Sequence, residues 1–86
     1  MNWKVEFTKD SSKQIQALDK QIQLRIRDAI IKKLTVNPEI YLEQLVGDKK
    51  GFYKFRVGDY RLICSKEEKR LLIMVVKVKH RREVYH

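Results

Sequence analysis

Two pairs of cations, each spaced two residues apart, are the first chemistry in this chain: Lys54 with Arg56, and Lys77 with Lys79. Arg61 stands between them, just past Gly58-Asp59, and His80, Arg81, Arg82 and Tyr85 follow the second pair. In a strand, residues i and i+2 point the same way and lie ~7 Å apart. Each pair is therefore a small cationic surface, and a sheet that sets the three segments side by side gathers them on one face. Guanidinium and ammonium groups at that density bind phosphate oxygens, arginine through its planar fork. Lys77, Lys79, His80 and Arg82 suit the binding of a nucleic-acid backbone, and a ring from Tyr60 or Phe52 would stack a base. The same residues have plainer readings: the lysines as a solvated sheet face, Arg61 as a partner for Asp59 or Glu83, and Tyr85 as a packing residue.

Composition narrows the alternatives. The 86 residues carry twenty Lys and Arg against eleven Asp and Glu, a net charge of +9. Residues 51–86 hold ten basic and four acidic side chains, a balance of +6, so the excess sits where the pairs do. Such an imbalance repels itself within a small fold, which points to nucleic acid, the ribosome or an acidic protein as the usual neighbour. The cations are not laid along one amphipathic helix, and no apolar run nears the ~20 residues of a membrane span, so no membrane partner is expected. One cysteine, Cys64, and two histidines are too few for a zinc site, and neither metal nor cofactor is expected. Cys64 has no basic or histidine neighbour in sequence to activate it and reads as a core thiol. The acids show no paired arrangement for proton transfer, and glycine-rich phosphate loops and nucleophile motifs are absent. The opening Met1-Asn2-Trp3-Lys4-Val5-Glu6 has no apolar leader, so a cytoplasmic location is expected.

A scaffold for these cations can be read from periodicity. Trp3, Val5 and Phe7 alternate with Lys4, Glu6 and Thr8, the pattern of a half-buried strand. Between Lys9 and Asn37 there is no Gly or Pro, and Ile15, Leu18, Ile22, Ile26, Ile30 and Leu34 line one helical face. One helix of that length would run roughly 40 Å, beyond any core 86 residues can make. Asp19, a good N-cap residue after Leu18, is the candidate break, so a helical hairpin is expected. Pro38 ends it, because the residue before a proline is pushed out of helical geometry. Residues 39–46 read as a connector and 47–51 as a loop. Phe52–Val57, Tyr60–Ser65 and Leu71–Val78 then form an antiparallel meander, with the run Leu71–Val76, apolar on both faces, as an interior strand. The expected fold is α+β: one domain spanning 1–86, with the hairpin packed on one face of a twisted sheet of about four strands.

Two segments carry a resemblance. Tyr53–Cys64, reading YKFRVGDYRLIC, followed by an apolar strand and then His80–Tyr85, reading HRREVY, resembles the RelE/ParE superfamily of toxins from bacterial type II toxin-antitoxin modules. Leu18-Asp19-Lys20-Gln21 at a helix start fits as well, and the likeness covers nearly the whole chain. It implies a helical hairpin on a twisted sheet with a basic concave face, and an acidic RelB-like antitoxin as partner. The RelE branch cleaves messenger RNA in the ribosomal A site, whereas the ParE branch poisons DNA gyrase on the same scaffold, so the fold alone does not choose. Residue content favours RelE, because its catalytic positions correspond here to Lys54, Arg56, Arg61, Arg81 and Tyr85. Lys79 departs from the glycine that many relatives carry before the histidine-arginine pair.

By that resemblance the chain is a metal-independent endoribonuclease acting on messenger in the ribosome, and so an inhibitor of translation. The 2′-hydroxyl of RNA attacks the adjacent phosphorus, and the protein has only to orient the strand, move two protons and stabilise the added charge. Lys54 and Arg56 would hold the phosphate, and Arg61 and Arg81 the phosphorane. Tyr85 is the first candidate for the base, since surrounding cations favour its phenolate over a phenol whose pKa starts near ~10. Lys54 and His80 are the alternatives. A gyrase poison and a basic RNA-binding module without chemistry are the competing functions.

Overall fold

The computed structural model describes residues 2–47 and 51–80. Strand β1 (Lys4–Phe7) leads into helices α1 (Lys9–Gln16) and α2 (Lys20–Ala29), and α2 continues into a π-helical turn, Ile30–Leu34. A single helical turn, α3 (Pro38–Tyr41), precedes strands β2 (Glu43–Gln44), β3 (Tyr53–Val57), β4 (Tyr60–Glu67) and β5 (Leu72–His80).

The break at Asp19 is where the N-cap expectation placed it, although its side chain makes no capping bond. Gln23 instead ties α2 to the end of α1, its Nε2 donating to the Leu18 carbonyl at 2.8 Å. Pro38 stands at the start of α3 and Asn37 is non-helical, with φ −149° and ψ 70°. The segment expected as a plain connector thus holds α3 and the short β2.

Among the described residues the strands form one sheet in the order β1-β5-β4-β3-β2. The antiparallel meander β3–β4–β5 is as expected, and the expected count of about four strands becomes five. Residues 43 and 44 add an edge strand too short to show a period, and β1 pairs with β5 in parallel, Lys4 opposite Leu72 to Phe7 opposite Val75. The run at Leu72–Val76 is interior as expected, since β5 lies between β1 and β4.

One face of this sheet, with Phe55, Val57, Leu62, Cys64, Ile73, Val75 and Val78, packs against Ile26, Ile30 and Leu34 of the hairpin to form the core. Ile15, Leu18 and Ile22 pack at its border, so the apolar stripe is what seats the helices. Among the described residues no helix covers the other face.

Candidate functional site

Which side chains reach the open face follows from the register. Cross-strand partners share a face, and successive residues alternate. Gly58, with φ 58° at the first position of the two-residue β3–β4 turn, adopts the left-handed conformation that such hairpins need and that glycine takes without strain. The turn sets Arg56 opposite Arg61. Arg61 is in turn opposite Lys79, so three cations stand abreast on three neighbouring strands. The next row holds Lys54, Ile63 and Lys77. Directly opposed side chains have Cβ atoms about 5 Å apart, and the two rows are one i to i+2 step from each other. Five of the cations singled out above therefore share one surface, all of it opposite the buried Phe55, Leu62 and Val78.

Two devices aim β5 so that this happens. Ile63 pairs with Lys77, but Cys64 pairs with Val75, leaving Val76 as an extra residue in a β-bulge. The bulge resets the alternation: Ile73 and Val75 face the core before it, Val78 faces the core after it, and Lys77 and Lys79 are turned outward. The backbone groups near this break are then satisfied from α1. Ser11 is fully buried and its hydroxyl donates to the Val75 carbonyl at 2.6 Å. The Thr8 hydroxyl lies 3.4 Å from the Val76 carbonyl oxygen, and the Val78 amide donates to Gln14 Oε1 at 2.7 Å. Thr8, Ser11 and Gln14 are spaced by three, so one side of α1 takes over where β1 ends.

Other expected site residues fall elsewhere. His80 pairs with Tyr60, and the register places both on the helix-packed face, their rings in edge contact with centroids 4.9 Å apart. His80 is thus not beside Lys77 and Lys79, and Tyr60 does not offer its ring to the cationic face, because each directly adjoins a cation of that face, Lys79 and Arg61, and successive strand residues point to opposite sides. Phe52 is partly exposed next to β3. Arg81, Arg82 and Tyr85 lie outside the described residues.

One group was missed by sequence reasoning. Glu43 in β2 is opposite Lys54, with 3.7 Å between Oε2 and Nζ. It brings a carboxylate, able to accept a proton, to the edge of the cationic face. A two-residue strand leaves no periodic signal, so nothing in the sequence paired it with Lys54. Cys64 is buried and its thiol is pushed up to about 12 by desolvation, which leaves it unreactive. Among the described residues no group of three His, Cys, Asp or Glu side chains is placed to hold a metal ion.

Comparison with known proteins decides the family. The chain matches the ParE toxins of the type II toxin-antitoxin system, parDE, over residues 5–85. It belongs to the RelE/ParE toxin superfamily. It is 35% identical over 89 residues to a RelE-like toxin protein of Escherichia coli, covering 100% of this chain and 93% of that one. The archaeal RelE–RelB complex from Pyrococcus horikoshii contains a chain 31% identical, with a TM-score of 0.66 over 94% of this chain and 97% of the other. The RelBE2 toxin-antitoxin complex from Mycobacterium tuberculosis gives a TM-score of 0.88 at 21% identity, over 94% and 93% of the two chains, a likeness of fold. The α+β scaffold of this RelE/ParE toxin is thus shared with RelE chains, and the cationic rows lie on the side that its helices leave open.

Proposed function

We propose that this RelE/ParE toxin is a ribosome-dependent, metal-independent endoribonuclease that cuts messenger RNA and stops translation. The observation that supports it best is the row Arg56–Arg61–Lys79, three cations abreast on the open face with Lys54 and Lys77 beside them. In the reaction the 2′-oxygen forms a bond to phosphorus while the bond from phosphorus to the 5′-oxygen breaks. The products are a 2′,3′-cyclic phosphate and a free 5′-hydroxyl. Lys54 and Arg56 hold the non-bridging oxygens, and Arg61 with Arg81 offsets the charge that builds on the phosphorane. The proton leaving the 2′-hydroxyl goes to the Tyr85 phenolate or to Lys54 as its neutral amine, and the departing 5′-oxygen, which Arg81 is assigned to stabilise, takes up a proton from water. Lys77, Lys79 and Arg82 bind the flanking backbone. Such a protein works in the cytoplasm, with messenger in the ribosomal A site as its substrate.

Purified wild-type protein and Arg61→Ala, incubated with messenger-programmed ribosomes, test this directly. Losing one donor to a transition-state oxyanion costs about a hundredfold or more in rate, and Arg61→Ala is expected to lose at least that much cleavage. Equal cleavage by both proteins removes Arg61 from the site.

An acidic RelB-like antitoxin neutralises the toxin. RelE chains of the archaeal and mycobacterial structures are solved in complex with their antitoxins, and this chain has charge to match, at +9. A groove of about 470 Å³ beside α2 is lined by Phe7, Ile15, Leu24 and Ile31, with Lys20 and Arg27 among the lining residues. Leu24 and Ile31 are 57% and 53% exposed, an apolar strip with a basic border that suits an amphipathic acidic segment.

The match to the ParE family favours a second reading, inhibition of DNA gyrase. It predicts blocked supercoiling with messenger left intact.

A further inference from the structure

The helix α2 has a second groove on its other side, of about 280 Å³, and its chemistry is the reverse of the first. It is lined by the charged Arg25, Asp28, Lys32, Lys33 and Arg56 together with Ala29, Val57 and Gly58. It exists because β2 is short. Pairing with β2 covers only Tyr53 and Lys54, so among the described residues no strand lies beside Phe55–Val57 on that edge, and the groove is lined from this stretch and from α2.

Its charge is not cancelled locally. Asp28 is engaged by Lys32 at 3.1 Å, which removes the one acid in the lining. Arg25 extends to the β3–β4 turn, where its Nη1 would be 3.9 Å from a Cβ built on Gly58. Lys33 holds its ammonium 5.4 Å from the centre of the Tyr41 ring, itself 39% exposed. Arg56 belongs to both surfaces, being the outer member of the row Arg56–Arg61–Lys79 and a wall of the groove. A polyanion that crosses three strands from Lys79 to Arg56, a span of ~10 Å, reaches Arg25 and Lys33 by turning over the β3 edge, where Arg56 lines the groove.

We infer that this groove is a second phosphate-binding stretch, which holds the RNA strand next to the segment being cut. The inference rests on the nuclease reading of the sheet face and extends it. A nucleic-acid backbone is favoured over an acidic protein by the lining, which is charged and offers few apolar side chains, whereas the apolar groove across α2 is the one that suits a protein helix. Each phosphate contact on a single strand adds to the salt dependence of binding, by about −0.7 in the slope of log K against log salt.

The test is the binding of single-stranded RNA of two lengths, 2′-O-methylated so that it is not cut, at several salt concentrations. A trinucleotide lies on the sheet face alone, and a dodecanucleotide reaches the groove. Wild-type protein is compared with Arg25→Ala/Lys33→Ala, both positions exposed. The double variant is expected to bind the dodecanucleotide about tenfold more weakly, with a slope shallower by about 1.4, while trinucleotide binding is unchanged. An equal effect on both lengths, or on neither, overturns the groove and leaves the sheet-face reading standing. Failure of the wild-type protein to bind the dodecanucleotide overturns the groove, and the ribosome cleavage assay with Arg61→Ala decides the sheet-face reading separately. A double variant that weakens antitoxin binding in place of RNA binding assigns the groove to a protein and overturns the inference, and an unchanged circular-dichroism melt excludes misfolding.

Discussion

Lys54 faces two demands, because Glu43 sits opposite it at 3.7 Å and an incoming phosphate needs the same ammonium. The pair is half open to solvent on the acid's side, where ion pairs are worth about 0–1 kcal/mol. Glu43→Gln removes the competitor, and RNA binding is expected to tighten by up to about fivefold. Isothermal titration checks this, and unchanged affinity would mean that the pair does not oppose phosphate. Cleavage measured alongside separates competition, which leaves the maximal rate unchanged, from proton acceptance by Glu43, which lowers it. Cys64 gives a prediction of a different kind. Burial raises its thiol from 9.0 to about 12, so the folded protein holds the proton that the unfolded chain releases first. The stabilisation from that difference is complete below about pH 9 and is lost as pH rises towards 12. Denaturant midpoints are expected to fall through this alkaline window more steeply in wild type than in Cys64→Ala. The same slope in both would show that the thiol does not contribute.

At the scale of elements, α1 positions the cations without touching them. Gln14 accepts from the Val78 amide at 2.7 Å, directly between the two lysines that β5 presents. Gln14→Ala leaves that amide without its partner, at a cost of about 1–3 kcal/mol, and loosens the end of β5. A thermal-melt shift together with weaker RNA binding is expected. Loss of stability with RNA binding fully retained would show that α1 supports the fold but not the site. Most of the elements were legible beforehand, because Ile15 to Leu34 keep a helical period and Lys54–Arg56 keep a strand period. The bulge was not. Its trace is a change of phase, with Ile73 and Val75 in one register and Val78 in the other, hidden inside a run that is apolar on both faces. His80 and Tyr60 were misplaced for a simpler reason, since each is the immediate chain neighbour of a cation on the open face and so points to the other one. The parallel pairing of β1 with β5 left no local mark either, because the contact joins residues some 68 positions apart.

Over the whole molecule, three surfaces share the proposed function: the cationic sheet face, the cationic groove that meets it at Arg56, and the apolar groove on the other side of α2. The last has a basic border and the antitoxin is expected there. Leu24→Glu/Ile31→Glu changes two exposed side chains, so the fold should survive while antitoxin affinity drops by about a hundredfold and cleavage of ribosome-bound messenger persists. Unchanged affinity in a pull-down titration would place the antitoxin elsewhere. The assignment of the sheet face to RNA chemistry is tested most directly by mapping messenger 5′ ends in cells after brief induction of the wild-type toxin and of Arg61→Ala. The account predicts new 5′-hydroxyl ends, phased with codons inside reading frames, in the first and not in the second. Intact messenger in both, or the same cuts in both, would contradict it.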